Sequence, residues 1–110
     1  MIAIIDYGAG NLRSVLNATN RLGYQAQITD IPGEILAAQA AILPGVGAAA
    51  DSMAKLRKLG LVNPIRRFIA EGRPFLGVCI GLQILFTSTE EGGWQDCLDV
   101  IPGVVHRLPQ

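Results

Sequence analysis

The run Phe75-Leu76-Gly77-Val78-Cys79-Ile80-Gly81 joins a short apolar segment to a Gly-x-Cys-x-Gly pattern. An apolar run without alternation is typical of a strand buried on both faces. We therefore predict a strand over residues 75–78, a sharp turn at Cys79 and a helix over residues 81–86. Glycine on either side of such a turn avoids steric collision, so the cysteine side chain is expected to be exposed at the carboxyl end of the strand.

The chain before this turn alternates in the same way between short apolar runs and segments with helical spacing. Further strands are predicted over residues 2–5, 24–29 and 41–43, and Gly23 and Gly72 are predicted to end helices. Strands separated by helices favour an open, doubly wound, mostly parallel α/β sheet with helices on both faces. Ligands bind such sheets at the carboxyl ends of the strands.

The alternation fades after Phe86, and one more short strand is predicted at Val104-Val105. An open sheet that ends there leaves an unpaired edge, or apolar surface for another segment to cover. We therefore expect a single domain over residues 1–110 whose sheet is truncated.

Composition excludes several classes of function. The 110 residues are 50% hydrophobic and carry nine basic and nine acidic side chains, so the formal net charge is zero. Without a basic field, neither nucleic acid nor an anionic membrane is expected as the main partner. Two cysteines are too few for a disulfide scaffold or a four-cysteine zinc site, and we predict no metal and no cofactor. The absence of a signal sequence and of a ~20-residue apolar span favours a cytoplasmic protein.

Positive charge is concentrated in one stretch of the chain. Residues 51–75 hold six of the nine basic side chains, namely Lys55, Arg57, Lys58, Arg66, Arg67 and Arg73. Such a run is typical of the solvated face of two helices. The alternative is a docking surface for a partner or an anionic substrate.

The chemistry of the Gly-x-Cys-x-Gly turn points to a nucleophile. The amino terminus of the following helix presents backbone N–H groups and positive dipole, which favour a thiolate at Cys79. The N–H of Ile80 would face an oxyanion that develops during attack on a carbonyl. The alternative is a buried structural cysteine flanked by glycines that have no mechanical role.

Two further glycine loops follow strands. The Pro-Gly-Val-Gly loop (residues 44–47, called the 44–47 loop below) reaches the same rim of the sheet and suits an additional oxyanion N–H, unless it is only a tight turn. The loop over residues 8–11 (the 8–11 loop) contains Gly8-x-Gly10, with Asp30 downstream. This is part of a dinucleotide fingerprint, but Arg13 stands where the third glycine is needed.

Three motifs now occur in a fixed order. They cover residues 5–15 (Ile-Asp-Tyr-Gly-Ala-Gly-Asn-Leu-Arg-Ser-Val), 43–47 (Leu-Pro-Gly-Val-Gly) and 74–83 (Pro-Phe-Leu-Gly-Val-Cys-Ile-Gly-Leu-Gln). Together they resemble the glutaminase subunits of imidazole glycerol phosphate synthases, a family of class I (triad-type) glutamine amidotransferases of histidine biosynthesis. The resemblance runs from residue 1 to about residue 108 and includes the sequence Ile-Pro-Gly-Val-Val at residues 101–105.

The resemblance implies an α/β domain that hydrolyses glutamine and passes ammonia to a (β/α)8-barrel cyclase subunit, its heterodimer partner. By position, Cys79 would be the nucleophile that forms a γ-glutamyl thioester. The oxyanion strand would consist of Gly45, Val46 and Gly47. Gln83 and Glu91 match positions that hold the substrate glutamine. The residues expected to face the barrel subunit are Gly8, Gly10 and Asn11.

The resemblance also implies that a base is missing. Members of the family carry roughly as much chain again, and that part holds the triad histidine and glutamate as a His-x-Glu pair. The only histidine here, His106, is followed by Arg107, so it is expected beside a late strand rather than as the base. Because a positioned base contributes ~10²–10⁴ in rate, this chain is expected to be inactive alone.

Other hypotheses remain open at this stage. The chain could be a catalytically dead fragment that only self-associates through its unfinished sheet or docks onto the barrel subunit. It could also be a different α/β hydrolase with a cysteine turn, which would need a base from this chain or from a neighbouring copy. Trp94 is either a flap over the site or a packing anchor, and Cys97 is expected to be an ordinary loop or half-buried thiol.

Overall fold

A computed structural model describes residues 1–8, 10–90 and 93–106. Its main sheet has four parallel strands in the order β2-β1-β3-β4. The strands are β1 (Ile2–Ile5), β2 (Ala26–Thr29), β3 (Ala40–Leu43) and β4 (Phe75–Gly77). The strand order reverses direction between β1 and β3, which confirms the predicted doubly wound sheet.

Five helices connect these strands and lead out of β4. They are α1 (Leu12–Arg21), α2 (Pro32–Ala37), α3 (Ala49–Lys58), α4 (Val62–Ala70) and α5 (Ile80–Gln83). Gly23 and Gly72 have φ angles of 90° and 76° just after α1 and α4, as predicted for glycines that end helices. No helix in the described part of the chain combines the length and the apolar character needed to cross a bilayer.

Side chains alternate between the two faces of the sheet along each strand, and this shows which helices pack on which face. Ala3 and Ile5 of β1 belong to one buried cluster with side chains of α2, α3 and α4, among them Ile35, Leu56 and Phe68. Successive strand residues point to opposite faces, so Ile2 and Ile4 lie on the other face, where α1 packs. Helices therefore cover both faces, as predicted.

The face that carries α1 is only partly covered. Ile4, Ile42 and Leu76 occupy neighbouring register positions across β1, β3 and β4. Ile4 is fully buried, whereas 56% of Leu76 is exposed. A groove of about 460 Å³ separates α1 from this part of the sheet. Apolar surface on this face of the sheet is thus exposed beside β4.

A second, smaller sheet follows α5, and here the prediction was wrong. The predicted helix over residues 81–86 ends at Gln83, and Phe86 begins β5 (Phe86–Thr89). β5 lies between β6 (Gln95–Asp96), which is antiparallel to it, and β7 (Ile101–Val105), which is parallel. The pairing of Phe86 with Ile101 of β7, a long-range interaction, outweighs the helical spacing of residues 81–86. The predicted strand at Val104-Val105 is confirmed as part of β7.

Candidate active site

The turn between β4 and α5 holds Cys79 in an uncommon backbone conformation. Its φ and ψ angles are 57° and −123°, and its thiol is exposed. A positive φ at a residue other than glycine costs about 1–3 kcal/mol and persists only where the surrounding structure enforces it. The sharp turn and the exposed side chain predicted at this position are confirmed, and the hypothesis of a buried structural cysteine is wrong.

The glycines on either side of Cys79 are required by close packing. A Cβ atom on Gly77 would lie 2.7 Å from the carbonyl oxygen of Gly81 and 2.8 Å from the Cα of Leu82. A Cβ atom on Gly81 would overlap the carbonyl oxygen of Leu43 at the end of β3. The Gly-x-Cys-x-Gly pattern therefore allows α5 to fold back against β4 and β3 directly after the cysteine.

The 44–47 loop lies against the start of α5. A Cβ atom on Gly45 would be 3.1 Å from the Gly81 nitrogen and 3.3 Å from the Ile80 Cβ, and it would overlap the Tyr7 hydroxyl. Gly45 is buried, whereas Val46 is 62% exposed. The two segments that sequence analysis assigned to nucleophile and oxyanion binding are therefore packed together.

Several N–H groups at this junction remain available. Among residues 1–8, 10–90 and 93–106, no group accepts a hydrogen bond from the backbone N–H of Val46, Gly47 or Ile80. Free N–H groups beside a nucleophile can stabilise an oxyanion. The oxyanion role of these groups stays a prediction.

The 8–11 loop contacts the 44–47 loop directly. A Cβ atom on Gly10 would lie 3.3 Å from both the Gly45 nitrogen and the Pro44 Cβ. Gly8 and Gly10 have φ angles of 86° and 94°, which only glycine adopts readily. The Asn11 side chain accepts a hydrogen bond from the Ser14 N–H at 3.2 Å and thereby caps α1. Gly10 thus lies against the 44–47 loop, and the contact of Gly8, Gly10 and Asn11 with a partner stays a prediction.

Tyr7 belongs to the sequence motif over residues 5–15, but no role was predicted for its side chain. Its side chain is 2% exposed, and its hydroxyl donates a hydrogen bond to the Pro44 carbonyl at 2.5 Å. Burial raises the pKa of the Tyr7 phenol above its usual 10.0, and the Ser52 hydroxyl partly offsets this. The sequence offered only a general indication of this contact, because a buried tyrosine hydroxyl usually finds a hydrogen-bond partner.

The residues expected to hold glutamine are only partly described. Gln83 lies at the end of α5, one helical turn after Cys79, and its Oε1 atom is buried without a hydrogen-bond partner among the described residues. A buried acceptor without a donor is costly, so this oxygen is suited to a donor that a ligand brings. Glu91, the other predicted contact, lies outside the described residues.

Three residues near the end of the chain lie outside this cluster of contacts. Cys97 is a buried loop thiol, 5% exposed. Trp94 is 64% exposed and donates from Nε1 to Asp96 Oδ1 at 3.1 Å, so it is not a packing anchor. His106 follows β7, as expected, and its Nδ1 lies 2.7 Å from Glu90 Oε1.

The basic stretch over residues 51–75 is largely solvated, as predicted: Arg57, Lys58, Arg66 and Arg67 are exposed, and Lys55 and Arg73 are half-buried. Arg57 and Arg66 donate to the carbonyls of Asp96 and Leu98, and thereby link α3 and α4 to the loop around Cys97. Arg73 donates to the Leu36 and Ala38 carbonyls and lies 4.1 Å above the Phe68 ring. Lys55 also donates to the Gly8 carbonyl at 3.3 Å, so four of the six cations bind backbone carbonyls within the described chain.

Comparison with known proteins defines the class. The chain matches the family "Glutamine amidotransferase class-I" over residues 3–106 and belongs to that family. A solved structure described as a glutamine amidotransferase has the same fold, with a TM-score of 0.80 over 97% of this chain and 57% of that chain at 24% identity.

The curated relatives are more specific. The chain is 59% identical over 98% of its length to imidazole glycerol phosphate synthase subunit HisH of Moorella thermoacetica. It is 55% identical over 99% of its length to the HisH subunit of Dehalococcoides mccartyi strain CBDB1. It covers 51% and 53% of these proteins, so it spans about half the length of the curated relatives it matches.

Proposed function

We propose that this chain belongs to the glutamine-hydrolysing subunit of an imidazole glycerol phosphate synthase, which supplies ammonia for histidine biosynthesis in the cytoplasm. The observation that carries the proposal is the packing of the 44–47 loop against the helix that begins directly after Cys79. Membership of the class-I glutamine amidotransferase family and the names of the relatives support the same activity.

In the proposed reaction the Cys79 sulfur attacks the γ-carboxamide carbon of glutamine and forms a C–S bond. The carbonyl oxygen then carries a negative charge, which the N–H groups of Ile80 and of Gly45, Val46 and Gly47 in the 44–47 loop stabilise. The C–N bond breaks, and ammonia leaves once its nitrogen has received a proton. Water hydrolyses the resulting γ-glutamyl thioester to glutamate and frees the thiol.

Gln83 and Glu91 are proposed to hold the substrate. The Oε1 atom of Gln83 has no hydrogen-bond partner among the described residues, which supports a role as an acceptor for one of the donors of glutamine. The Glu91 carboxylate suits the α-ammonium group, because opposite charges attract.

We do not propose that this chain performs the proton transfer. Its only histidine, His106, is bound to Glu90. The resemblance assigns the base to a His-x-Glu pair in the half of the relatives that this chain does not span. Because members of a catalytic triad fail together, turnover by residues 1–110 alone should be lost although Cys79 stays reactive.

Selective labelling tests the proposal. The diazoketone 6-diazo-5-oxo-L-norleucine has the skeleton of glutamine and alkylates an activated thiol, with loss of nitrogen. Mass spectrometry should find Cys79 labelled, Cys97 unlabelled, and the Cys79→Ser variant unlabelled. L-glutamine should slow the reaction, whereas D-glutamine should not. Equal labelling of the two thiols, or the same rate with and without L-glutamine, would contradict a glutamine site.

A (β/α)8-barrel cyclase subunit is the proposed partner, and the 8–11 loop its proposed contact. The relatives are named as subunits of a synthase, and Gly10 of this loop touches the 44–47 loop. Titration of the chain with the barrel subunit of an imidazole glycerol phosphate synthase should give a one-to-one complex in sedimentation velocity. Independent sedimentation of the two proteins would contradict the proposed contact.

Self-association is a second candidate, favoured by the groove between α1 and β4. Its exposed apolar residues are Leu22 at 76%, Tyr24 at 61% and Leu76 at 56%. Light scattering should show concentration-dependent association that Leu76→Asp abolishes. Ile31→Asp, an exposed apolar position outside the groove, should leave it unchanged. A monomer at all concentrations excludes this candidate.

A further inference from the structure

The contact between Tyr7 and the 44–47 loop is not needed for any step described above. Tyr7 lies just beyond β1, and its buried ring brings a hydroxyl to the first carbonyl of the loop, that of Pro44, at 2.5 Å. A buried hydroxyl cannot form hydrogen bonds to water. Loss of its bond to the carbonyl therefore costs free energy. The first peptide of the loop is therefore held from the side of β1.

Holding this carbonyl also orients the next N–H. A peptide bond is planar and, in the described part of this chain, never cis. The Pro44 carbonyl and the Gly45 N–H therefore point in opposite directions, and a hydrogen bond that fixes one fixes the other. The orientation of this peptide determines where the loop begins as it passes Ile80 and Gly81.

Gly45 is closely packed where a side chain would begin. A Cβ atom there would overlap the Tyr7 hydroxyl and lie 3.1 Å from the Gly81 nitrogen. The phenol and the helix that begins after Cys79 therefore approach the same position of the loop. Removal of the hydroxyl would open space beside the Pro44–Gly45 peptide.

We propose that Tyr7 is a positioning residue, whose hydroxyl keeps the 44–47 loop oriented toward an oxyanion formed at Cys79. This inference rests on the proposed function, because it assumes that the loop binds an oxyanion. Tyr7 does not touch the substrate in this proposal and acts only through the Pro44–Gly45 peptide.

An acylation assay tests the inference without a general base. In the γ-(p-nitrophenyl) ester of L-glutamate, which keeps the α-ammonium group, the Cys79 thiolate forms a C–S bond to the γ-carbonyl carbon. The C–O bond breaks, and p-nitrophenolate leaves with the electron pair. Iodoacetamide is the comparison reagent, because it alkylates the same sulfur by displacement of iodide and forms no oxyanion at a carbonyl.

The variants are Tyr7→Phe and the matched control Tyr24→Phe, since Tyr24 is the other tyrosine of the chain and is exposed. Tyr7→Phe should lower the rate constant of the p-nitrophenolate burst about tenfold, less than the loss of a whole oxyanion donor. The ester concentration that gives half the maximal rate and the rate of Cys79 alkylation by iodoacetamide should not change. Tyr24→Phe should behave as the unmodified chain.

The outcomes separate the inference from the proposed function. If the unmodified chain gives no larger burst than Cys79→Ser, the proposed function fails. If it gives a burst that Tyr7→Phe leaves unchanged, only the inference fails. A Tyr7→Phe variant that slows both reagents equally, or that is unfolded at 25 °C, also overturns the inference, because the hydroxyl would then serve the fold as a whole.

Discussion

Cys79 and Cys97 are the only cysteines of the chain, and their surroundings are opposite. Cys79 is exposed, with a φ angle of 57° at the start of α5. Cys97 is 5% exposed, and its φ angle is not positive. Burial raises the pKa of the Cys97 thiol, and the neighbouring Asp96 raises it further against the smaller opposing effect of Arg57. The thiol that we propose as the nucleophile is thus exposed on strained backbone, whereas the other thiol is buried and its pKa is raised.

The largest expected effect concerns the packing that holds Cys79 in place. Gly81→Ala should lower the free energy of unfolding by about 3 kcal/mol, because the new methyl group overlaps the Leu43 carbonyl. Gly33→Ala is the matched control. Gly33 lies in α2, and a Cβ atom there would have no neighbouring atom within 4 Å, so the free energy of unfolding should rise by about 0.5 kcal/mol. Urea unfolding measures both. Equal stability of the two variants would mean that the turn does not depend on this close approach.

Glycine spacing explains how much of the site could be predicted. The turn at Cys79 was predictable from Gly77 and Gly81, and the steric demand at Gly77 is local, since a Cβ atom there would meet Gly81 and Leu82. The demand at Gly81 comes from the distant Leu43, which the sequence did not indicate. The contact of Tyr7 with Pro44 joins residues 37 positions apart, and neither residue type specifies the other. The helix over residues 81–86 failed for the same reason, since strand pairing of Phe86 with Ile101 is a long-range interaction. Local geometry was predictable here, and tertiary partners were not.

The second prediction compares the two thiols directly. Iodoacetamide should alkylate Cys79 about 10²-fold faster than Cys97, because a buried thiol reacts only when the structure opens locally. Peptide mass spectrometry over a time course measures both rates in one sample. The difference should disappear in urea above the unfolding transition. Similar rates in the native chain would show that the loop around Cys97 opens freely.

The third prediction is that one substitution has opposite effects at the two positions. Cys79→Gly should raise the free energy of unfolding by about 1 kcal/mol, because glycine adopts a positive φ without strain. Cys97→Gly should lower it by about 2 kcal/mol through lost burial and added freedom of the unfolded chain. Thermal unfolding of the two variants beside the unmodified chain measures the signs. A loss of stability in Cys79→Gly would show that the thiol contributes more by packing than the backbone strain costs.

The smallest expected effect is the pH dependence that Cys97 produces. Its pKa is raised above 9.0 in the folded chain, so the fold favours the neutral thiol. The stabilisation is complete below pH 9, where the unfolded thiol is neutral too, and it is lost as the pH rises through the folded pKa. For each thiol, the free energy of unfolding can fall by at most about 1.4 kcal/mol per pH unit.

In urea unfolding between pH 7 and 10.5, the stability of Cys97→Ala should therefore be less sensitive to alkali than that of the unmodified chain. The raised pKa of Tyr7 adds a further loss of the same sign above pH 10 in both proteins, so it does not affect the difference between them. Parallel curves for the two proteins would mean that Cys97 ionises equally easily in the folded and unfolded chain, and the contrast between the two thiols would then be one of exposure alone.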